Sequence, residues 1–223
     1  MQIWAVSCVA AVAVSSSVAQ RIAHRVILRS GEPAPGLFST TLREFQIARL
    51  GGGGRFSFTA YLDAPLLIPD DEYESLWEYD DGSISLIARE RLSAPGTDGQ
   101  FENIFSSART ANGQVLFNGN LLNQGTINAL NDQGTWVWKD GTLEVLAYEG
   151  QAVAGARDAT YHFLLLDAIA GDYLGYRSLI RVGGLSEPAV FRYDATARDD
   201  PLSLIAREGS LIGASRSVAT APS

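Results

Sequence analysis

The 223-residue sequence has one cysteine, two histidines and fewer basic than acidic residues, 17 against 25. Each shortage removes a class of function. Cys8 lies within the first nineteen residues, so the rest of the chain can build neither a disulfide framework nor thiol chemistry. His24 and His162 stand near no Gly-x-Ser-x-Gly, paired-histidine zinc motif or cysteine, which leaves them structural or surface roles. A net charge of -8 repels phosphate backbones and anionic membrane surfaces, and nucleic acid is not an expected partner. Gly51-Gly52-Gly53-Gly54 lacks the Lys-Ser/Thr of a phosphate loop and reads as a turn. Asp70-Asp71-Glu72-Glu74 and Asp199-Asp200 have neither EF-hand spacing nor a nonapeptide calcium repeat, and read as solvated loops. No metal site and no cofactor are expected.

A long hydrophobic run is also missing. The first nineteen residues carry no charged side chain, hold a short apolar run from Val9 to Val14, and end Ser17-Val18-Ala19 before Gln20. That is the small-x-small pattern read by a signal peptidase. The run falls short of the about 20 residues that a spanning helix needs. Residues 1–19 are therefore expected to be a signal peptide, with no transmembrane segment after its removal. The mature protein is expected to be secreted, periplasmic or part of the cell envelope. A lipoprotein role for Cys8 is the lesser reading, because only seven residues precede it.

What the chain does have is repetition. Leu86-Ile87-Ala88-Arg89-Glu90 returns as Val145-Leu146-Ala147-Tyr148-Glu149 and as Leu204-Ile205-Ala206-Arg207-Glu208, with a fainter copy at Val26-Ile27-Leu28-Arg29-Ser30. Ile27, Ile87, Leu146 and Ile205 fall at spacings of 60, 59 and 59. Residues 20–213 thus read as one all-β repeat domain, with repeats 31–90, 91–149 and 150–208 and a flexible tail at 214–223. A strand is expected from Ala23 to Arg29. Turns follow the organising strands at Pro35-Gly36 and Pro95-Gly96, and more weakly at Ala154-Gly155 and Ile212-Gly213. Second strands are expected at Leu42–Leu50, Phe101–Thr110 and Thr160–Ile169, although Leu42-Arg43-Glu44-Phe45 alone also fits a helical turn.

Third strands are predicted at 54–60, 113–119 and 172–178. Period-2 alternation puts Phe56, Val115 and Leu174 on one face with Phe58, Phe117 and Tyr176. The small residues Ala60, Gly119 and Ser178 come next on that face and predict close approach of a neighbouring backbone in wedge-shaped stacking. Fourth strands, 75–79, 135–139 and 189–193, carry the tryptophans. Of Trp136 and Trp138, only one is expected to face inward. Asp81-Gly82 and Asp140-Gly141 then signal tight hairpins, while the third copy has a longer loop from Asp194 to Pro201. Variable loops are expected at Asp63–Glu74, Asn120–Gly134 and Arg181–Glu187.

Tandem four-stranded antiparallel repeats of about 59 residues describe propeller-like blades. Three blades plus one strand fall short of the about four to eight in a closed ring. The expected architecture is therefore open or truncated, with exposed edge strands that invite self-association.

The segments Ile87-Ala88-Arg89-Glu90 with Ala94-Pro95-Gly96, Leu146-Ala147-Tyr148-Glu149-Gly150, and Ile205-Ala206-Arg207-Glu208-Gly209 resemble a family of secreted bacterial repeat proteins. Its repeats read roughly Leu-Val-Ala-x-Glu-Gly-x-x-Ala-Pro-Gly, and some members end in a surface-sorting tail. The resemblance covers residues 26 to 213. It implies a propeller-like secreted module and supplies no catalytic residues.

Candidate binding residues follow from the repeats. Arg89 and Glu90, Tyr148 and Glu149, and Arg207 and Glu208 are candidates for a shared surface that reads an anionic or polar ligand. Solvated pairs at strand ends, worth roughly 0 to 1 kcal/mol, are the plainer reading. Trp77, Trp136 and Trp138 are candidates for a carbohydrate-stacking platform, against core or inter-blade packing as the plainer reading. No catalytic constellation is present. The sequence therefore reads as a non-catalytic, secreted binding or scaffold module, with a carbohydrate or cell-envelope component as the class of partner. A carbohydrate-active enzyme using loop carboxylates, and a purely structural self-associating envelope protein, are the alternatives.

Overall fold

The computed structural model describes residues 26–63, 73–198 and 201–208. The predicted signal peptide, His24, Asp70-Asp71-Glu72, Asp199-Asp200, Ile212-Gly213 and the tail at 214–223 lie outside the described residues. Thirteen strands run in chain order: β1 Thr41–Leu50, β2 Phe56–Asp63, β3 Tyr73–Asp80, β4 Ser83–Arg89, β5 Phe101–Arg109, β6 Val115–Leu121, β7 Gln133–Lys139, β8 Thr142–Tyr148, β9 Ala152–Val153, β10 Ala156–Ala170, β11 Tyr173–Val182, β12 Leu185–Asp194 and β13 Leu202–Arg207. The only helical piece among the described residues is a single 3-10 turn at Gly52–Gly54. Strands β1–β4, β5–β8 and β10–β13 form three antiparallel meanders in sequence order, with β9 added at the β10 edge. The predicted all-β, four-strand antiparallel unit thus occurs three times.

The register shows why these residues form sheets. Phe58, Phe117 and Tyr176 oppose Trp77, Trp136 and Phe191 on the neighbouring strand. Phe58 stacks on Trp77 at 6.4 Å and Phe117 on Trp136 at 5.9 Å between ring centres. Such pairs contribute roughly 0.5 to 1.5 kcal/mol beyond the burial of their area. The hairpins close as the Asp-Gly signal requires, with φ of 45° and 89° at Asp81 and Gly82, and 50° and 79° at Asp140 and Gly141. The first strand of each sheet carries two register shifts, near Leu42 and Phe45, near Phe101 and Phe105, and near Tyr161 and Leu166. Bulges at matching places give the three sheets a common twist.

Each sheet has an aromatic face and a reverse face, and the sheets stack head to tail. Phe101, Phe117 and Trp136 of the second sheet cover Leu76, Ile87 and Ala88 on the reverse face of the first. Tyr161, Leu174, Tyr176 and Phe191 of the third cover Leu116, Val137 and Ala147 of the second. The aromatic face of the first sheet packs with Ile27, Leu28, Ala34 and Leu37.

Four expectations need correction. Of the strand expected at Ala23–Arg29, the described part Val26–Arg29 is not a strand and pairs with none among the described residues; Ile27 and Leu28 instead lie on the first sheet's aromatic face, much as Ile87 and Ala88 lie on the second's. The insert at 181–187 is a two-residue hairpin through Gly183 and Gly184, with φ of 56° and 89°. Trp136 and Trp138, two apart in one strand, share a face and pack in the same cluster, as period-2 geometry requires. At Gly119 the close neighbours are the Asn103 carbonyl oxygen, 3.1 Å from where a Cβ would stand, and the Phe101 ring. The expected close approach of a neighbouring backbone is thus present at Gly119, but it comes from the bulged strand of the same sheet, so at this position the wedge reading does not follow from it.

Candidate functional site

The strand ends form two rims. One carries the tight hairpins β1–β2, β3–β4, β5–β6, β7–β8 and β10–β11, together with the β12–β13 loop, and here all three sheets converge on one cleft of about 710 Å3. The first sheet contributes Arg55, Glu78 and Asp80; the second contributes Asn112–Gln114 and Trp138–Gly141; the third contributes Ala195–Arg198. The walls are polar and carry both signs of charge.

Two bolts set the geometry. In the first, Glu78 crosses the seam between the first two sheets. Arg109 Nη2 donates to Glu78 Oε1 at 2.7 Å, and Trp138 Nε1 donates to Oε2 at 2.7 Å. The Arg109 side chain is 1% exposed, and its Nε and Nη1 have no hydrogen-bond partner among the described residues. Glu78 is therefore its one anchoring acceptor. Gly51 makes room for this guanidinium, since a Cβ there would come within 2.6 Å of Arg109 Nε. In the second bolt, Tyr193 of the third sheet donates through its hydroxyl to Gln114 Oε1 of the second. Gln114 Nε2 and Asn112 Nδ2 both donate to the Ala195 carbonyl, at 3.0 and 3.1 Å. Burial pushes the Tyr193 phenol up to about 12, so it stays a donor at neutral pH. Trp138 and Tyr193 are equivalents in the repeat, and each uses its polar tip to reach the preceding sheet. Arg55 and Asp80 pair at 2.7 Å on the open wall.

Of the sequence-predicted candidates, Trp138 alone lines this cleft. Arg89, Glu90, Tyr148, Glu149, Arg207 and Glu208 end the outer strand of each sheet at the opposite rim. The backbone N–H of Glu90, Glu149 and Glu208 donates to the carbonyl of Glu74, Gln133 and Pro188 respectively, which extends each ladder by one bond. Beyond that shared backbone role the three copies meet different surroundings. Arg89 has a buried Nε without a partner among the described residues. Tyr148 lines a separate hollow of about 240 Å3 with Thr97 and Asn131. Glu149 is buried in the seam between the second and third sheets, with His162 Nδ1 at 2.6 Å and Arg181 at 4.0 Å. Burial raises its carboxyl pKa against the lowering effect of His162. Arg207 pairs with Asp158 at 3.2 Å, and Glu208 borders the outer face of the third sheet.

Trp77 and Trp136 are fully buried, and their indole N–H groups donate inward, to Ser75 Oγ at 2.7 Å and to the Pro95 carbonyl at 3.1 Å. Rings packed on both faces cannot stack on a sugar, so the core reading prevails. Glu78, Arg109 and Gln114 escaped sequence reasoning. One signal for Glu78 was present: its repeat equivalents are Val137 and Arg192, so a charge stood at a seam position that is apolar in the second copy.

No curated protein and no solved structure matches the chain. A model of a family of unknown function, DUF7453, matches residues 11–217, nearly the whole sequence, and the chain belongs to that family.

Proposed function

We propose that the chain is a secreted, non-catalytic binding module whose ligand seats in the cleft at the hairpin rim. The observation that carries this reading is that three sheets contribute polar side chains to one hollow, so the site exists only in the assembled stack. Sites built between elements and held by rigid strands are where ligand pockets concentrate. A half-buried Trp138 beside carboxylates, an amide and the cations Arg55, Lys139 and Arg198 suits a polyhydroxylated ligand, which uses donors, acceptors and an apolar face together. A carbohydrate of the cell envelope is the class proposed. The uncharged leader with its Ser17-Val18-Ala19 end supports export.

The carbohydrate-active enzyme reading is less well supported. Of the three carboxylates that line the cleft, Glu78 is held by Arg109 and Trp138 and Asp80 by Arg55, which leaves Asp140 without a second free carboxylate facing it there, and glycoside hydrolysis needs a pair. The test is a glycan array and cell-envelope fractions probed with the wild type and with Lys139→Glu/Arg198→Glu. Binding that the double variant loses supports the proposal. An array and fractions without signal, or binding untouched by the variant, count against it.

A further inference from the structure

The outer face of the third sheet is the reverse face of its repeat, and the other two copies of that face serve as internal controls. At the centre of the organising strand Ile87 is 5% exposed, whereas its equivalent Ile205 is 57% exposed. On the neighbouring strand Leu76 and Thr135 are 0% exposed, whereas Val190 is 45% exposed. The difference is the cover, since the first and second sheets have a following sheet on this face. Of the large apolar side chains exposed among the described residues, Tyr173, Leu179, Val190 and Ile205 belong to this face of the third sheet. Leu179, Val190, Phe163 and Leu165 border a shallow, mainly apolar hollow of about 690 Å3. A contiguous apolar patch of this kind marks an interaction surface.

We infer that this face is a self-association surface, covered in solution by the same face of a second copy of the chain. Twice within the molecule the partner of this face is a sheet of the same repeat, so the established seam continues naturally into a sheet of another copy. Which sheet of that copy is available follows from burial. The aromatic face of the first sheet is closed, with Phe58, Trp77 and Ala60 buried in a cluster that takes in Ile27, Leu28 and Leu37. A head-to-tail contact would have to strip that cover away. Among the described residues the third sheet's own outer face is the one left open, and two of them meet about a two-fold axis, the commonest closed symmetry.

Charge permits the pairing. An isologous contact sets like groups opposite each other, so a face with a strong single sign would repel itself. Here Arg177 pairs with Asp167 and Arg207 with Asp158, Arg192 lies over the Tyr173 ring at 5.7 Å, and Glu208 borders the hollow at the other end of the face. The face is balanced although the chain as a whole carries -8.

The test is the mass of the full chain by light scattering across a concentration series. A species of twice the chain mass is expected. Leu179→Arg and Ile205→Arg should each raise the dimer dissociation constant at least about tenfold, as loss of a buried anchor does, while Leu130→Arg, exposed elsewhere, leaves it unchanged. Near-UV circular dichroism like that of the wild type shows that the variants fold. A wild type that stays monomeric to about 100 μM, weaker than contacts of the micromolar class, overturns the inference. So do open-ended assemblies, or dimers indifferent to both substitutions.

Discussion

The Arg109–Glu78–Trp138 bolt lends itself to a quantitative test. Glu78→Ala removes the acceptor of a guanidinium that is 1% exposed, and with it the acceptor of the Trp138 indole N–H. One-sided loss of a buried ion pair costs about 3 to 5 kcal/mol, and an unmet indole N–H adds about 1 kcal/mol. Glu78 is 17% exposed, so water reaches part of the gap and the total belongs at the lower end, about 3 kcal/mol. With a urea dependence of about 2 kcal/mol per molar, the unfolding midpoint falls by about 1.5 M. Tryptophan fluorescence follows the transition directly, because Trp138 and Trp136 sit in this seam. Glu78→Met/Arg109→Met, which replaces the pair by apolar side chains, should stay within about 1 kcal/mol of the wild type, since the desolvation cost disappears along with the attraction. The Glu78→Ala loss should also persist at high salt, because a buried pair is screened far less than one on the surface. A Glu78→Ala midpoint within about 0.3 M of the wild type would refute the claim that the carboxylate anchors a buried cation.

Two further predictions concern the repeats and their seams. Gly36 and Gly96 occupy the same turn with φ of 73° and 77°, but a Cβ at Gly36 meets nothing within 4 Å, while one at Gly96 overlaps Val145. Gly36→Ala should cost about 1 to 2 kcal/mol of backbone strain; Gly96→Ala should cost about 1 to 3 kcal/mol more through overpacking, read as paired urea midpoints, with equal losses refuting the packing difference. At Glu149 the folded pKa is raised by burial from 4.5, opposed by His162 and Arg181 and reinforced by Asp132. A raised carboxyl contributes stability that is complete below the unfolded pKa and lost as pH climbs through the folded value. Glu149→Gln should therefore gain on the wild type as pH rises from about 4 to 7, measured by urea unfolding at each pH; a difference that is flat, or that runs the other way, contradicts the assignment.

How far the sequence reached varies with the kind of interaction. Alternation at Phe56 and Phe58, Asp-Gly at the hairpins and the 59-residue spacing are local signals, and each strand they implied is present. The exception at Val26–Arg29 shares its composition with the organising strands but has no neighbour among the described residues to supply a ladder, and a strand needs one. Trp77 and Trp136 were ambiguous because a strand's period says which residues share a face and not what lies against that face. The cleft was hidden for the same reason, since Arg55, Glu78, Gln114 and Arg198 are scattered along the chain and meet only when three sheets stack.

The sequence by itself determined the repeat, its four strands and the turns between them, because those depend on residues close together or on a pattern copied at a constant interval. Only the tertiary structure decided which copy of a shared face is covered, which carboxylate holds a buried cation, and where three rims enclose a polar hollow. Those outcomes depend on how sheets pack, and identical local patterns at Ile87 and Ile205 come to opposite exposures once one has a neighbouring sheet and the other has none among the described residues.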